Sequence, residues 1–107
     1  MTDRSDGLYE AVAALGRVTK DQVPASGKTW EIVRFVGSAA YSAETSVKLV
    51  WDLGGAGEEV IASTHGDANL ELVRQVAGDG SKKLALVLEN DSLSARVLGG
   101  RYEAREL

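Results

Sequence analysis

Between Ser46 and Leu53 the side chains alternate with a period of two. Val47, Leu49, Trp51 and Leu53 fall on one face; Ser46, Lys48, Val50 and Asp52 fall on the other. Successive side chains leave a pleated backbone on opposite sides, so this spacing predicts a half-buried β-strand. Gly54–Gly55–Ala56–Gly57 then stops the run and turns the chain. Strand followed by glycine turn is the rhythm of everything downstream.

The same rhythm continues along the chain. Thr29 to Val36 is rich in β-branched and aromatic residues and ends at Gly37. Trp30, Ile32 and Val36 share one face there, with Val33 and Phe35 on the other, which predicts a central strand or one covered on both faces. Ser38 to Ala43 is a loop of small residues around Tyr41. Glu59 to Thr64 predicts a further strand, closed by His65–Gly66–Asp67. Leu70, Leu72 and Val76 then oppose Glu71, Val73 and Gln75 up to Gly78–Asp79–Gly80–Ser81, a tetrapeptide that predicts a hairpin because Asp and Gly accept positive φ. Leu84, Leu86 and Leu88 form the next strand, bounded by Asn90–Asp91–Ser92. The last runs from about Ala95 to Ala104, and its Gly99–Gly100 pair predicts a bulge or bend. Six to eight short strands with no helical period between them predict an all-β fold: an antiparallel, jelly-roll-like β-sandwich over residues 28–107.

Residues 1–27 carry a different pattern. Leu8, Val12 and Leu15 sit at i, i+4 and i+7 among Ala11, Ala13 and Ala14, which predicts a short helix capped by Ser5 or Asp6 and ended by Gly16. The alternative is an extended arm, since Val12, Ala14, Gly16 and Val18 also alternate. Val23–Pro24–Ala25–Ser26–Gly27 is a connector whose proline fixes φ.

Composition narrows the function classes. At 107 residues the chain builds one core without staples, and an apolar fraction of 44% with 26% charged residues is that of an ordinary globular domain. With no cysteine there is no disulfide, thiolate metal site or cysteine nucleophile. The net charge of −4 opposes non-specific binding to nucleic acid, which depends on cationic side chains neutralising phosphates. No run approaches the roughly 18–20 apolar residues of a membrane-spanning helix. Met1 to Asp6 is polar and mixed in charge, which predicts a chain made and used without a cleaved secretory signal.

The chemistry-bearing residues each have a plainer reading. His65, the single histidine, could ligate a metal with Asp67, joined by Asp52, Glu58 and Glu59 if their strands form a hairpin. His–Gly–Asp is equally the sequence of a solvated turn, and that reading is preferred. His65 as a base for Ser63 or Thr64 fails on distance, because same-face side chains two residues apart in a strand lie ~7 Å from one another. Gly54–Gly57 resembles a phosphate loop only superficially, since Glu58 and Glu59 follow it instead of a lysine and a helix. Asp67, Asp79 and Asp91 lack the dense ligand ladder of a calcium loop. Trp30 and Trp51 would suit a sugar platform, but their apolar neighbours predict core packing, leaving Tyr41 better placed to touch a partner. No catalytic, cofactor-binding or metal-ligating residue is assigned, no cofactor is expected, and the chain is expected not to be an enzyme.

From Val23 to Tyr102 the chain resembles small β-sandwich proteins of tailed bacteriophage particles, of the decoration, neck or fibre-attachment kind. The residues that carry the resemblance are Val–Pro–Ala–Ser–Gly–Lys–Thr–Trp–Glu–Ile (23–32), Ser–Val–Lys–Leu–Val–Trp–Asp (46–52) and Gly–Asp–Gly–Ser–Lys–Lys–Leu–Ala–Leu–Val–Leu–Glu–Asn (78–90). The resemblance implies a virion structural protein, made in the host cytoplasm. It would assemble as a homo-oligomer with other capsid, neck or tail proteins, without membrane or nucleic-acid contact. A small carbohydrate- or ligand-binding module using Tyr41 and one exposed tryptophan is the alternative.

Overall fold

The computed structural model describes residues 2–107, Thr2 by its backbone alone. Its elements are β1 (Thr2–Asp3), β2 (Asp6–Val12), β3 (Arg17–Gln22), β4 (Thr29–Ser38), β5 (Thr45–Trp51), β6 (Glu59–Thr64), β7 (Ala68–Ala77), β8 (Leu84–Asn90) and β9 (Arg96–Glu106). They form two antiparallel sheets. In the first, β1 and β2 pair successive stretches of β9, followed by β4 and β7; in the second the order is β3, β8, β5, β6. From β2 onward the chain changes sheet at every connection except β5 to β6, and this interleaved order is that of a jelly roll.

The core lies between the sheets. Trp30, Ile32 and Phe35 from β4, with Leu98 and Tyr102 from β9, meet Val47, Leu49 and Trp51 from β5 and Leu84, Leu86 and Leu88 from β8. The alternation in β5 is thus realised as expected up to Trp51. Asp52 then takes φ 57°, the left-handed region that Asp tolerates better than most residues. The reversal sends Leu53 to the other side of the sheet, against Val50, Ala85 and Val87. Gly55 lets the Asp52 carboxylate approach closely, since a Cβ there would stand 2.2 Å from one of its oxygens and force the side chain to shift.

Further local expectations are corrected. Residues 6–12 are a strand, not a helix: Asp6 pairs Tyr102 and the register runs unbroken to Val12 opposite Arg96. The i, i+4 spacing of Leu8 and Val12 satisfies a period of two as well as a helical one, and both pack on the core. A three-turn helix offers little stability against seven backbone pairs on an available sheet edge. With β3 paired to β8, the N-terminal segment is built into both sheets.

Gly78 to Lys83 is a crossover between sheets, since β7 and β8 lie in different ones. Asp79 Oδ1 accepts from the amides of Ser81 and Lys82, both at 2.8 Å, so the tetrapeptide makes its tight turn but leads to the opposite layer. The carboxyl is held below its usual range, chiefly by the Lys82 amide and then by that of Ser81.

Gly99–Gly100 carries no bulge, because the register with β2 and β4 passes through both residues regularly. The irregularity lies in β4, where Ile32 opposes Ala104 and Arg34 opposes Glu103, leaving Val33 as the extra residue. The bulge resets the alternation, so Phe35 joins Trp30 and Ile32 in the core and Val36 turns outward.

Candidate functional site

In this topology the β2–β3, β4–β5, β6–β7 and β8–β9 connections gather at one end of the sandwich. Backbone hydrogen bonds tie the loops together: Leu15 N donates to Ser92 O at 3.1 Å, Asp91 N to Glu44 O at 2.8 Å, and Ser42 N to His65 O at 3.2 Å. Asn90 organises the interior of this end. Its side chain is fully buried, with Nδ2 donating to the carbonyls of Val12 (3.0 Å), Ala13 (3.2 Å) and Ser94 (2.9 Å). Its Oδ1 accepts from Ser92 N at 3.0 Å and Ser92 Oγ at 2.6 Å. One amide thereby fixes both the β2–β3 and β8–β9 turns.

These fixed loops hold apolar side chains in water. Leu93 is 87% exposed, Leu15 69% and Tyr41 79%. Leu15 also has φ 58°, a conformation rare for a branched side chain. Beside the loops, on the outer face of the first sheet, Tyr9 is 71% exposed. A cleft of about 610 Å³ separates it from Tyr41, with Ser38, Asp67, Arg96 and Val97 among its walls.

His65 and Asp67 lie at this end and are both bound to backbone. His65 Nδ1 is 2.7 Å from Thr45 O, and Asp67 Oδ1 accepts from Ala39 N at 2.9 Å. The turn therefore fastens the β6–β7 connection to the start of β5 and the end of β4. The Thr64 hydroxyl donates to Gly66 O at 2.9 Å, directed into the same turn. The β5–β6 hairpin does form, but it separates the acidic residues from His65: Thr64 opposes Val47 at one end and Glu59 opposes Trp51 at the other. Asp52 Oδ2 accepts from Gly57 N at 3.0 Å, Glu58 Oε1 from Gly54 N at 2.9 Å, and Glu59 Oε1 from Arg74 Nη2 at 2.6 Å. The Arg74 hydrogen bond holds the Glu59 carboxyl below its usual range. Among the described residues no three His, Cys, Asp or Glu side chains converge as metal ligands would.

Both tryptophans are core residues. Trp30 completes its hydrogen bonding by donating Nε1–H to Glu106 Oε1 at 3.1 Å, and the Arg4 guanidinium stands 5.9 Å from the ring centroid. Neither is available as a sugar platform. Tyr102 is likewise closed to solvent; burial, then the carboxylates of Asp6 and Asp21, push its phenol pKa above the ordinary range.

The exposed residues of the loop end were only partly readable. Leu15 fits the apolar face of a helix and gives no sign that it sits at a turn. Leu93 did carry a signal, as a lone large apolar residue inside Asp91–Ser92–Leu93–Ser94. Tyr9 became visible only when β2 paired with β9.

No protein-family model and no curated protein sequence matches the chain. Among solved structures it is similar to the Yersinia pseudotuberculosis-derived mitogen, with a TM-score of 0.59 and 13% sequence identity, over 92% of this chain and 84% of that one. At that identity the likeness establishes the β-sandwich fold alone.

Proposed function

We propose that this protein is a non-enzymatic structural module of a tailed-bacteriophage particle, working through contacts with copies of itself and with neighbouring capsid, neck or tail proteins. The observation that carries the reading is Leu15, a branched apolar side chain kept in a left-handed conformation and held out in water on a rigid loop end. The isolated fold gains nothing from such a residue, because glycine would relieve the backbone and a polar residue would suit the solvent. A partner surface would use it. Leu93 and Tyr41 add to the same end, and a hydrogen-bonded base limits the ordering entropy lost on docking.

The resemblance of residues 23–32, 46–52 and 78–90 to phage particle modules points the same way, and the jelly-roll order is one that viral capsid domains use.

Size-exclusion chromatography with light scattering, over a concentration series, tests the assembly. The expected mass is a fixed multiple of the 11.3 kDa chain, with Leu93→Ser shifting the equilibrium toward the monomer. A strict monomer at every concentration would count against self-association.

A further inference from the structure

We propose that the groove between Tyr9 and Tyr41 binds a neutral pyranose sugar, at a site that shares Tyr41 with the assembly surface above but is centred on Tyr9. On the outer face of the first sheet, Tyr9 of β2 pairs Gly99 of β9, and Gly99 in turn pairs Ser38 of β4. The central position of this row has no side chain, and the Tyr9 ring occupies the space. A Cβ on Gly99 would stand 2.4 Å from Tyr9 Cδ2, so the ring rests against the β9 backbone. Much of its remaining surface is open to water.

Polar groups surround this aromatic surface. Asp67 is anchored through Oδ1 to Ala39 N, while its Oδ2 makes no hydrogen bond among the described residues. Arg96 lines the same cleft with no carboxylate partner among the described residues, and Ser38 contributes a hydroxyl. Tyr41 forms another wall, seated against Gly66, where a Cβ would meet Tyr41 Cα at 3.3 Å.

A pyranose presents an apolar C–H face and a rim of hydroxyls that each donate and accept. The face matches the Tyr9 ring; the rim matches a fixed carboxylate acceptor and a guanidinium donor that line the same cleft. An anionic ligand would meet Asp67 as well as Arg96, which favours a neutral polyol. At about 610 Å³ the cleft falls within the range of roughly 300–1,000 Å³ usual for small-ligand sites. Its open shape predicts weak binding by one copy, strengthened when several copies engage one glycan surface.

The test is a ¹⁵N NMR titration of the full chain with the methyl glycosides of glucose, galactose, mannose and N-acetylglucosamine. At least one is expected to give saturable shifts at Tyr9, Ser38, Asp67 and Gly99 with millimolar affinity. Tyr9→Ala should weaken that binding about tenfold, a change of ~1.4 kcal/mol. Gly99→Ala should weaken it comparably while keeping the tyrosine, because the new methyl lifts the ring from the sheet. The dispersion of each variant's spectrum reports its fold, and Tyr9→Ala decides if Gly99→Ala does not fold. The proposal is overturned if none of the four glycosides gives saturable shifts, if the shifts map elsewhere, or if binding survives Tyr9→Ala. Shifts that appear only together with a change in mass by light scattering report assembly, and also overturn it.

Discussion

Leu15 and Asn90 are coupled: the buried amide fixes a turn whose tip is strained and apolar. Leu15→Gly removes the left-handed penalty of about 1–2 kcal/mol but enlarges the entropy of the unfolded chain. The net expectation is a gain of roughly 0.5–1 kcal/mol, read by urea denaturation at concentrations where the chain is monomeric. Asn90→Ala is expected to cost about 2–4 kcal/mol, because it takes the side-chain partner from the buried carbonyl of Val12 and from the buried amide N–H of Ser92. The sequence marked Asn90 only as the start of a polar loop. An asparagine that caps its own turn and one that ties two turns together look alike until the second turn is in place.

At the scale of the element, β4 shows what a pattern read along one strand misses. Simple alternation puts Val36 with Trp30 and Ile32 and leaves Phe35 opposite; the extra residue at Val33 reverses that. Phe35→Ala is therefore expected to cost about 3–5 kcal/mol, and Val36→Ala less than about 1.5 kcal/mol, in chemical denaturation. Equal losses would contradict the bulge. The β5 strand was legible because its alternation is unbroken from Val47 to Trp51 and its core-facing side chains are large. β2 was not, since Leu8 and Val12 fit two periods and its partner β9 lies more than eighty residues away in the chain. Likewise, local chemistry encodes the sharp turn at Gly78–Asp79–Gly80, whereas the destination of the chain after it depends on which strands already flank β8.

On the scale of the whole molecule, the β-sandwich was readable from strand number and spacing, while the position of the candidate contact surface was not. That surface exists because the jelly-roll order brings four connections, distant in sequence, to one end. The opposite end carries the acid sensitivity. Glu106 is held below the usual carboxylate range first by the Trp30 indole N–H and then by the charges of Arg4 and Lys28. A depressed carboxyl stabilises the fold above its unfolded pKa, and that contribution is lost as pH falls through the lower folded value. Thermal stability is thus expected to drop below about pH 4, with Glu106→Gln flattening the slope there. An unchanged pH profile in the variant would remove Glu106 from the account.

If the loop end carrying Leu15 and Leu93 meets other copies of the chain, hydrogen exchange will differ between dilute and concentrated protein. Added protection is expected at residues 13–16 and 91–95 in the concentrated sample. Protection confined to the β7 edge, or none anywhere, would contradict it.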